Sequence, residues 1–184
     1  ECGGTGGCEG ATAEIGFNYT NHHGIALAST YPYTGKDDTC KPKPFNTAVT
    51  NSGFTKLPPN SAIALETAIA TIGPVSVVVA ANWQTYSGGI MADGCLAWLG
   101  SCDLDHVVVV VGYSENYWLV RNSWGENWGE SGYIRLTRKN DNTTYTDTDT
   151  SQGTGCKPFP KQQSVMGEGG ILFDASYPNN VTRS

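Results

Sequence analysis

A chain of 184 residues with 39% hydrophobic side chains can bury a sizeable core, as one compact domain or as two small lobes. Its net charge of −6, with nothing basic concentrated enough to track phosphates, argues against nucleic-acid binding, and no apolar run approaches membrane-spanning length. With 23 glycines and nine prolines the fold is expected to be turn-rich, and a charged fraction of 15% is low for a cytosolic protein.

Residues 2–10 form a glycine-rich loop, and glycine lets a backbone adopt positive φ and approach a ligand closely. A phosphate cradle is not supported, because neither a GxxxxGK[ST] pattern nor a basic partner accompanies the loop. Residues 12–29 read as a helix, with Ala11, Ile15 and Tyr19 at i+4 spacing and a stop near Gly24. His22 and His23 adjoin its end without a Cys, Asp or Glu at ligand spacing, so they read as solvated or helix-capping. No metal or other cofactor is expected.

Residues 41–60, rich in Pro and Thr, predict an extended crossover. Ala62, Leu65, Ile69 and Ile72 then make an apolar helical stripe, capped by Asn60 and stopped by Gly73-Pro74. Residues 75–80 read as a β-branched strand, and residues 85–89 as a turn before Ile90.

The most informative stretch is residues 103–136. His106 opens a run of valines without alternation, as expected for a strand covered on both faces, although periodicity does not exclude a buried helix segment. After the strand-like Tyr-Trp-Leu-Val comes Asn122, which a neighbouring strand could bring beside His106. An imidazole oriented by an amide carbonyl is half of a Cys-His-Asn site, where a third group must fix the base's tautomer and ring orientation. Residues 139–155 offer almost no apolar side chains and are expected to form a mobile surface hairpin or loop. Six cysteines suit an oxidised, secreted or vesicular protein. Asn18, Asn142 and Asn180 each open a glycosylation triplet, which favours the same route.

The order Asn-Ser-Trp-Gly-x-x-Trp-Gly-Glu-x-Gly-Tyr from Asn122, with His106 upstream, resembles the motifs of papain-like cysteine peptidases of the cathepsin L type. The resemblance implies an α+β, two-lobe fold: residues 1–44 as the remnant of a helical lobe, and residues 45–184 as a β-barrel-like lobe with a closing strand at residues 171–178. His106 matches the catalytic base, Asn122 its orienting asparagine, Trp124 the tryptophan that shields the pair, and Trp128 a second tryptophan beside the cleft. The glycine loop matches the non-prime side of the cleft, where Glu9, Gly10 and Ala11 would pair with an extended substrate. Ala11 stands where a glycine is usual and is expected to tighten the cleft. Thr12, Ala13, Val78, Leu104 and Val107 match the second non-prime pocket, Asp105 is counted with the substrate-binding residues, and Asp174 is expected at the pocket floor. There it would admit Arg or Lys from the substrate.

The resemblance also pairs Cys2 with Cys40 and leaves Cys8 without its usual partner, a cysteine just before the nucleophile. Cys95 stands at a family position, Cys102 is additional, and Gly169 replaces the usual final cysteine. One of Cys95 or Cys102 is expected to bond to Cys156, without the sequence deciding which. The family's nucleophilic cysteine and oxyanion-hole glutamine lie upstream of the region matched by residues 2–10, so neither is in this sequence. The expected activity is hydrolysis of peptide bonds by acyl transfer, with the chain alone inactive and poorly stable. The implied partners are a peptide or protein substrate, a nucleophile-bearing N-terminal segment or light-chain-like polypeptide, and an inhibitory propeptide before maturation. The expected location is lysosomal, vacuolar or secreted. The alternative is a non-catalytic homologue acting as a binding or structural subunit.

Overall fold

The computed structural model describes residues 3–4, 6–39, 46–95, 101–151 and 154–183, with the side chain of Glu9 outside that set. The glycine loop carries a short 3-10 turn at Gly7–Glu9 and leads into α1 (Ala13–His23). This helix is shorter than the sequence predicts. Gly24 takes a φ of 68° and its N–H returns to the carbonyl of Thr20, closing the last turn. The chain then leaves the helix axis, and Ile25 forms a bridge with Val49.

The stretch predicted as a plain crossover holds two short strands, β1 (Val49–Thr50) and β2 (Phe54–Lys56). In α2 (Ala62–Thr71) the N-cap is Ser61, whose hydroxyl accepts the Ala64 N–H at 3.2 Å, and not Asn60. Asn60 instead has a φ of 59°. Its side chain joins a distant strand, accepting from the Met166 N–H at 2.9 Å and donating to the Ser164 carbonyl at 3.0 Å. There follow β3 (Val75–Val79), β4 (Ile90–Met91), β5 (His106–Tyr113), β6 (Tyr117–Arg121) and β7 (Tyr133–Thr137). The chain ends with β8 (Thr144–Asp147), β9 (Gln163–Met166), β10 (Ala175–Pro178) and β11 (Thr182–Arg183).

Seven strands form one mixed sheet in the order β2-β10-β3-β5-β6-β7-β4, antiparallel throughout except for the parallel pair β4–β7. The expected barrel is not formed. Its outer strands, β2 and β4, do not pair with each other, so the sheet stays open. Both edges are short, and a strand of two or three residues presents too few backbone groups to close a barrel seam. The architecture is an α+β fold with a strand-rich lobe and a short helical lobe.

Of the valine-rich strands, β3 is covered on both faces, whereas β5 buries Val108 and Val110 and leaves Val107, Val109 and Val111 partly exposed on the other face. Val75, Val77 and Val79 alternate into a core with Val108, Val110, Trp118, Val120, Ile134 and Leu136, closed by Leu65 and Ala68 of α2. Val78 points the other way, into a second cluster with Leu104, Tyr145 and Val165. That second cluster explains why residues 139–155 are not simply a surface loop. β8 pairs with β9, Tyr145 enters the cluster, and Asp147 is fully buried, accepting from Gln163 Nε2 at 2.7 Å. One buried aromatic and a satisfied polar pair are enough to order a Thr-rich strand that has almost no aliphatic residue.

Burial sets the cost of truncation. Ile134→Ala, at a fully buried position, is expected to lower stability by about 2–5 kcal/mol in urea unfolding. Ile63→Ala, on the exposed face of α2 with 79% exposure, should stay within about 0.5 kcal/mol.

Candidate active site

The site begins with strand register. β5 and β6 are antiparallel, with Val109 opposite Arg121, so the first residue of β5 and the residue following β6 meet at one end of the sheet. There His106 Nε2 lies 2.9 Å from Asn122 Oδ1. The same oxygen accepts the backbone N–H of Ser123 at 2.8 Å, which identifies it as the carbonyl end of the amide. A carbonyl oxygen only accepts, so Nε2 carries the proton and Nδ1 is left as the basic nitrogen. Asn122 is itself buried, which holds the ring's partner in place.

Aromatic rings enclose this pair. Trp124 stacks on the imidazole at a centroid distance of 5.3 Å, and Trp83 meets it edge-on at 6.3 Å. Trp124 in turn meets Trp128 edge-on at 5.1 Å, and Trp128 Nε1 donates to the Trp83 carbonyl at 3.3 Å. The sequence motif identified Trp124 and Trp128 but not Trp83, which lies outside it and is fully buried. Its only signal is an indole placed just after a valine strand. A hydrogen bond covered in this way is stronger than one open to water, because solvent does not compete for the partners.

The turn behind the tryptophans is tied by an ion pair and a close backbone approach. Glu130 accepts from Gly89 N–H and from the Arg135 guanidinium, whose Nε lies at 2.8 Å, and these contacts hold its carboxyl down to about 2. Gly129 has a φ of 57°, and a Cβ there would stand 2.6 Å from the Tyr133 carbonyl. Only glycine fits that approach.

A second device sits where the resemblance implies a disulfide. Cys95 bonds to Cys102, with a Cα separation of 4.7 Å, so neither reaches Cys156 as the sequence reading expects. The reason is position: Gly169 offers no thiol, and the inserted Cys102 lies within bonding distance of Cys95. Cys156 is disulfide-bonded, though not to either of these. Cys2 and Cys40, and hence their expected bridge, lie outside the described residues. The Cys8 N–H donates to Asp37 at 2.7 Å. In place of the missing bridge, buried Glu168 accepts from Gly94 N–H and from Asn140 Nδ2, the latter at 2.6 Å. Burial pushes the Glu168 carboxyl up. Gly94 is required here, since a Cβ would stand 2.8 Å from the Glu168 carboxylate.

The remaining residues named from the sequence fall in two groups. Val78 faces Val107 across β3 and β5, and both belong with Leu104 to the second apolar cluster. The Asp174 carbonyl accepts from Val78 N–H, and Asp105 accepts from Ala81 N–H at 3.1 Å. On the glycine loop, Ala11 bridges Gly4, the Gly10 carbonyl accepts from Gly6 N–H, and Thr12 N–H donates to Gly3 at 2.7 Å. Ala13 opens α1. The Glu9 side chain lies outside the described set.

Asp174 does not stand alone, and this the sequence reading missed. Its Oδ2 lies 3.0 Å from Lys56 Nζ, and Glu14 Oε1 lies 3.4 Å from the same nitrogen. Asp174 is almost fully buried, whereas the Lys56 side chain remains half-exposed. Burial, reinforced by the neighbouring Glu14 charge, raises the Asp174 carboxyl to about 6. Burial opposes ionisation of Glu14 too, but its backbone hydrogen bond, Asp174 and Lys56 together hold it low. The three residues come from α1, β2 and the approach to β10, separated too widely in sequence for any local pattern to join them.

The model of the papain family cysteine protease matches residues 1–154. A cathepsin L-like peptidase of Aedes aegypti is 38% identical over 151 residues, which is 76% of this chain and 43% of that protein. Cysteine endopeptidase Rep1 of Oryza sativa subsp. japonica is 43% identical over 143 residues, 72% of this chain and 37% of that protein. The chain thus spans less than half the length of these curated relatives. Among solved structures, the Carica candamarcensis cysteine protease CMS1MS2 in complex with E-64 superposes with a TM-score of 0.69 at 34% identity. That match covers 94% of this chain and 70% of the other. Bromelain protease from Ananas comosus in complex with the E64 inhibitor gives 0.73 at 28% identity, covering 97% and 74%.

The Asp174 cluster sets a pH dependence. A carboxyl raised in the fold contributes stability that is complete below its unfolded value and is lost as pH rises through about 6. Docking of α1 on the sheet should therefore tighten between pH 7 and pH 5. Asp174→Asn is expected to flatten that part of the stability profile, measured by urea unfolding at a series of pH values.

Proposed function

Because the chain belongs to the papain family of cysteine proteases, we propose that it carries the base-bearing part of a cysteine endopeptidase that cleaves peptide bonds by acyl transfer. The observation that carries this reading is the His106–Asn122 hydrogen bond beneath Trp124, with Nδ1 left as the basic nitrogen. In the reaction, His106 takes the proton of a thiol, and the resulting thiolate attacks the scissile carbonyl. The imidazolium then protonates the leaving amine. The neutral imidazole left behind takes a proton from the water that hydrolyses the acyl–thioester and returns the thiol, while Asn122 keeps the ring oriented. Trp124 and Trp83 exclude solvent from the bond that orients the base.

The thiol comes from a nucleophile-bearing segment outside these 184 residues. Cys95, Cys102 and Cys156 are committed to disulfides, so none of them supplies a thiolate. Cys102 is the cysteine nearest in sequence to His106. The surface around α1 supports a covering partner: Tyr19, Ile25, Tyr31 and Tyr33 are exposed around an open cavity of about 650 Å³. In this reading residues 1–44 complete a helical lobe with that segment, and residues 45–184 form the strand-rich lobe.

The substrate lies extended along Gly10 and Ala11. Its P2 side chain, the second before the scissile bond, enters a pocket walled by Thr12, Ala13, Val78, Leu104 and Val107, with Asp174 beneath. Asn18, Asn142 and Asn180 are all exposed, which supports glycosylation and a secreted, lysosomal or vacuolar location.

The test is reconstitution. The isolated chain should neither hydrolyse peptides nor bind E-64, whereas the chain joined to its nucleophile-bearing segment should do both. In the joined protein His106→Ala is expected to lower kcat by about 10²–10⁴-fold. Peptide hydrolysis by the isolated 184 residues would overturn the division of roles. A joined protein that folds but neither cleaves peptides nor binds E-64 would point to the non-catalytic homologue.

A further inference from the structure

The segment that carries Trp83 is backed by a carboxylate that the chemistry of His106 does not use. Glu168 opens the short 3-10 turn Glu168–Gly170, and only 1% of it is exposed. One of its oxygens accepts the Gly94 N–H, and the other accepts from Asn140 Nδ2 at 2.6 Å. Gly94 is held from its other end too, since its carbonyl accepts from Asn82 Nδ2 at 3.3 Å. The next residue of the 3-10 turn, Gly169, accepts the Ala80 N–H at 2.9 Å.

Gly94 and Gly169 are the walls of a slot for the Trp83 indole. A Cβ on Gly94 would stand 3.3 Å from Trp83 Nε1 and 3.5 Å from the Gly169 Cα, and a Cβ on Gly169 would stand 3.8 Å from Trp83 Cζ2. Trp83 is fully buried, yet its Nε1 has no hydrogen-bond partner among the described residues. An indole without that bond is oriented by packing alone, so the ring follows the walls of its slot. The same ring meets the His106 imidazole at 6.3 Å, and the Trp83 carbonyl accepts from Trp128 Nε1.

We propose that Glu168 is a positioning residue for the base: by tying Gly94 to the 3-10 turn it sets the Trp83 ring against His106. This inference rests on the peptidase reading and adds to it a residue remote from the motif around Asn122. Removing the carboxylate leaves the buried Gly94 N–H unpaired, a cost that the segment escapes only by moving toward other acceptors. Once Gly94 moves, the slot opens and the indole tilts away from the imidazole. Water then competes for the His106–Asn122 hydrogen bond, which weakens.

Two readouts test this in the enzyme joined to its nucleophile-bearing segment. One is kcat and KM for a peptide; the other is solvent exchange of the His106 Nε2 proton, followed by NMR of isotope-labelled histidine. His22 and His23 are exposed at the end of α1, so their ring protons exchange fast and leave the His106 signal distinct. Glu168→Ala should lower kcat about tenfold, hold KM within about twofold and speed that exchange about tenfold, on the scale of one hydrogen bond to a charged group. Glu168→Gln, whose amide oxygen still accepts the Gly94 N–H, should restore both to within about threefold. In a Trp83→Phe enzyme, Glu168→Ala should change neither further, because the ring it acts through is already altered. If Glu168→Ala does not fold, Gly94→Ala reads the same slot, its methyl pressing on the carboxylate and the indole together, and should likewise lower kcat and speed exchange. Unchanged kcat and exchange in the folded Glu168→Ala or Gly94→Ala enzyme overturn the proposal. So does a Glu168→Ala effect that Trp83→Phe does not diminish. Failure of the joined protein to cleave any peptide overturns the peptidase reading, whereas proton exchange needs no turnover and still tests the hold of Glu168 on the base.

Discussion

The pairing of β5 with β6 governs the chemistry of this protein. The two strands run antiparallel, and the end of their ladder sets His106 Nε2 2.9 Å from Asn122 Oδ1. Slippage of one strand by one residue would turn its side chain to the face opposite its partner's, since side chains alternate along a strand. The register is held from both sides. β5 is paired along its first half to β3, β6 to β7, and the inner positions Val108, Val110, Trp118 and Val120 are buried in one core. The hydrophobic effect thereby holds a hydrogen bond that would be weak on its own.

Around that bond the fold exchanges one kind of restraint for another. Gly169 stands where the resemblance implies a cysteine, and Cys95 is bonded to Cys102, closing a local loop. The distant connection is supplied by Glu168, which reaches Gly94 and Asn140 from a buried position. A covalent tie and a buried, hydrogen-bonded carboxylate differ in character. The first chiefly restricts the unfolded chain, while the second depends on every donor being present, because an unpaired buried charge is costly.

Electrostatics play a similar part between α1 and the sheet. Glu14, Lys56 and Asp174 join α1 to two strands of the sheet through one ammonium and two carboxylates. Because Asp174 is almost fully buried, its charge is governed by its immediate neighbours more than by solvent.

How much of this was legible beforehand depended on the range of each interaction. The sequence by itself determined the helices near residues 13–23 and 62–71, the valine strands, and the His106–Asn122–Trp124 constellation, because these rest on local periodicity or a compact linear motif. It also determined the family, through the order of residues 122–133. Only the tertiary structure decided that the sheet stays open, that Cys95 bonds to Cys102, that Thr144–Asp147 is an ordered strand, that Trp83 borders the base, and that Lys56 holds Asp174. The physical reason is common to all of them. Strand closure, disulfide choice and the pairing of a buried charge are contests between groups remote in sequence, settled by distance and burial, and a linear pattern records neither.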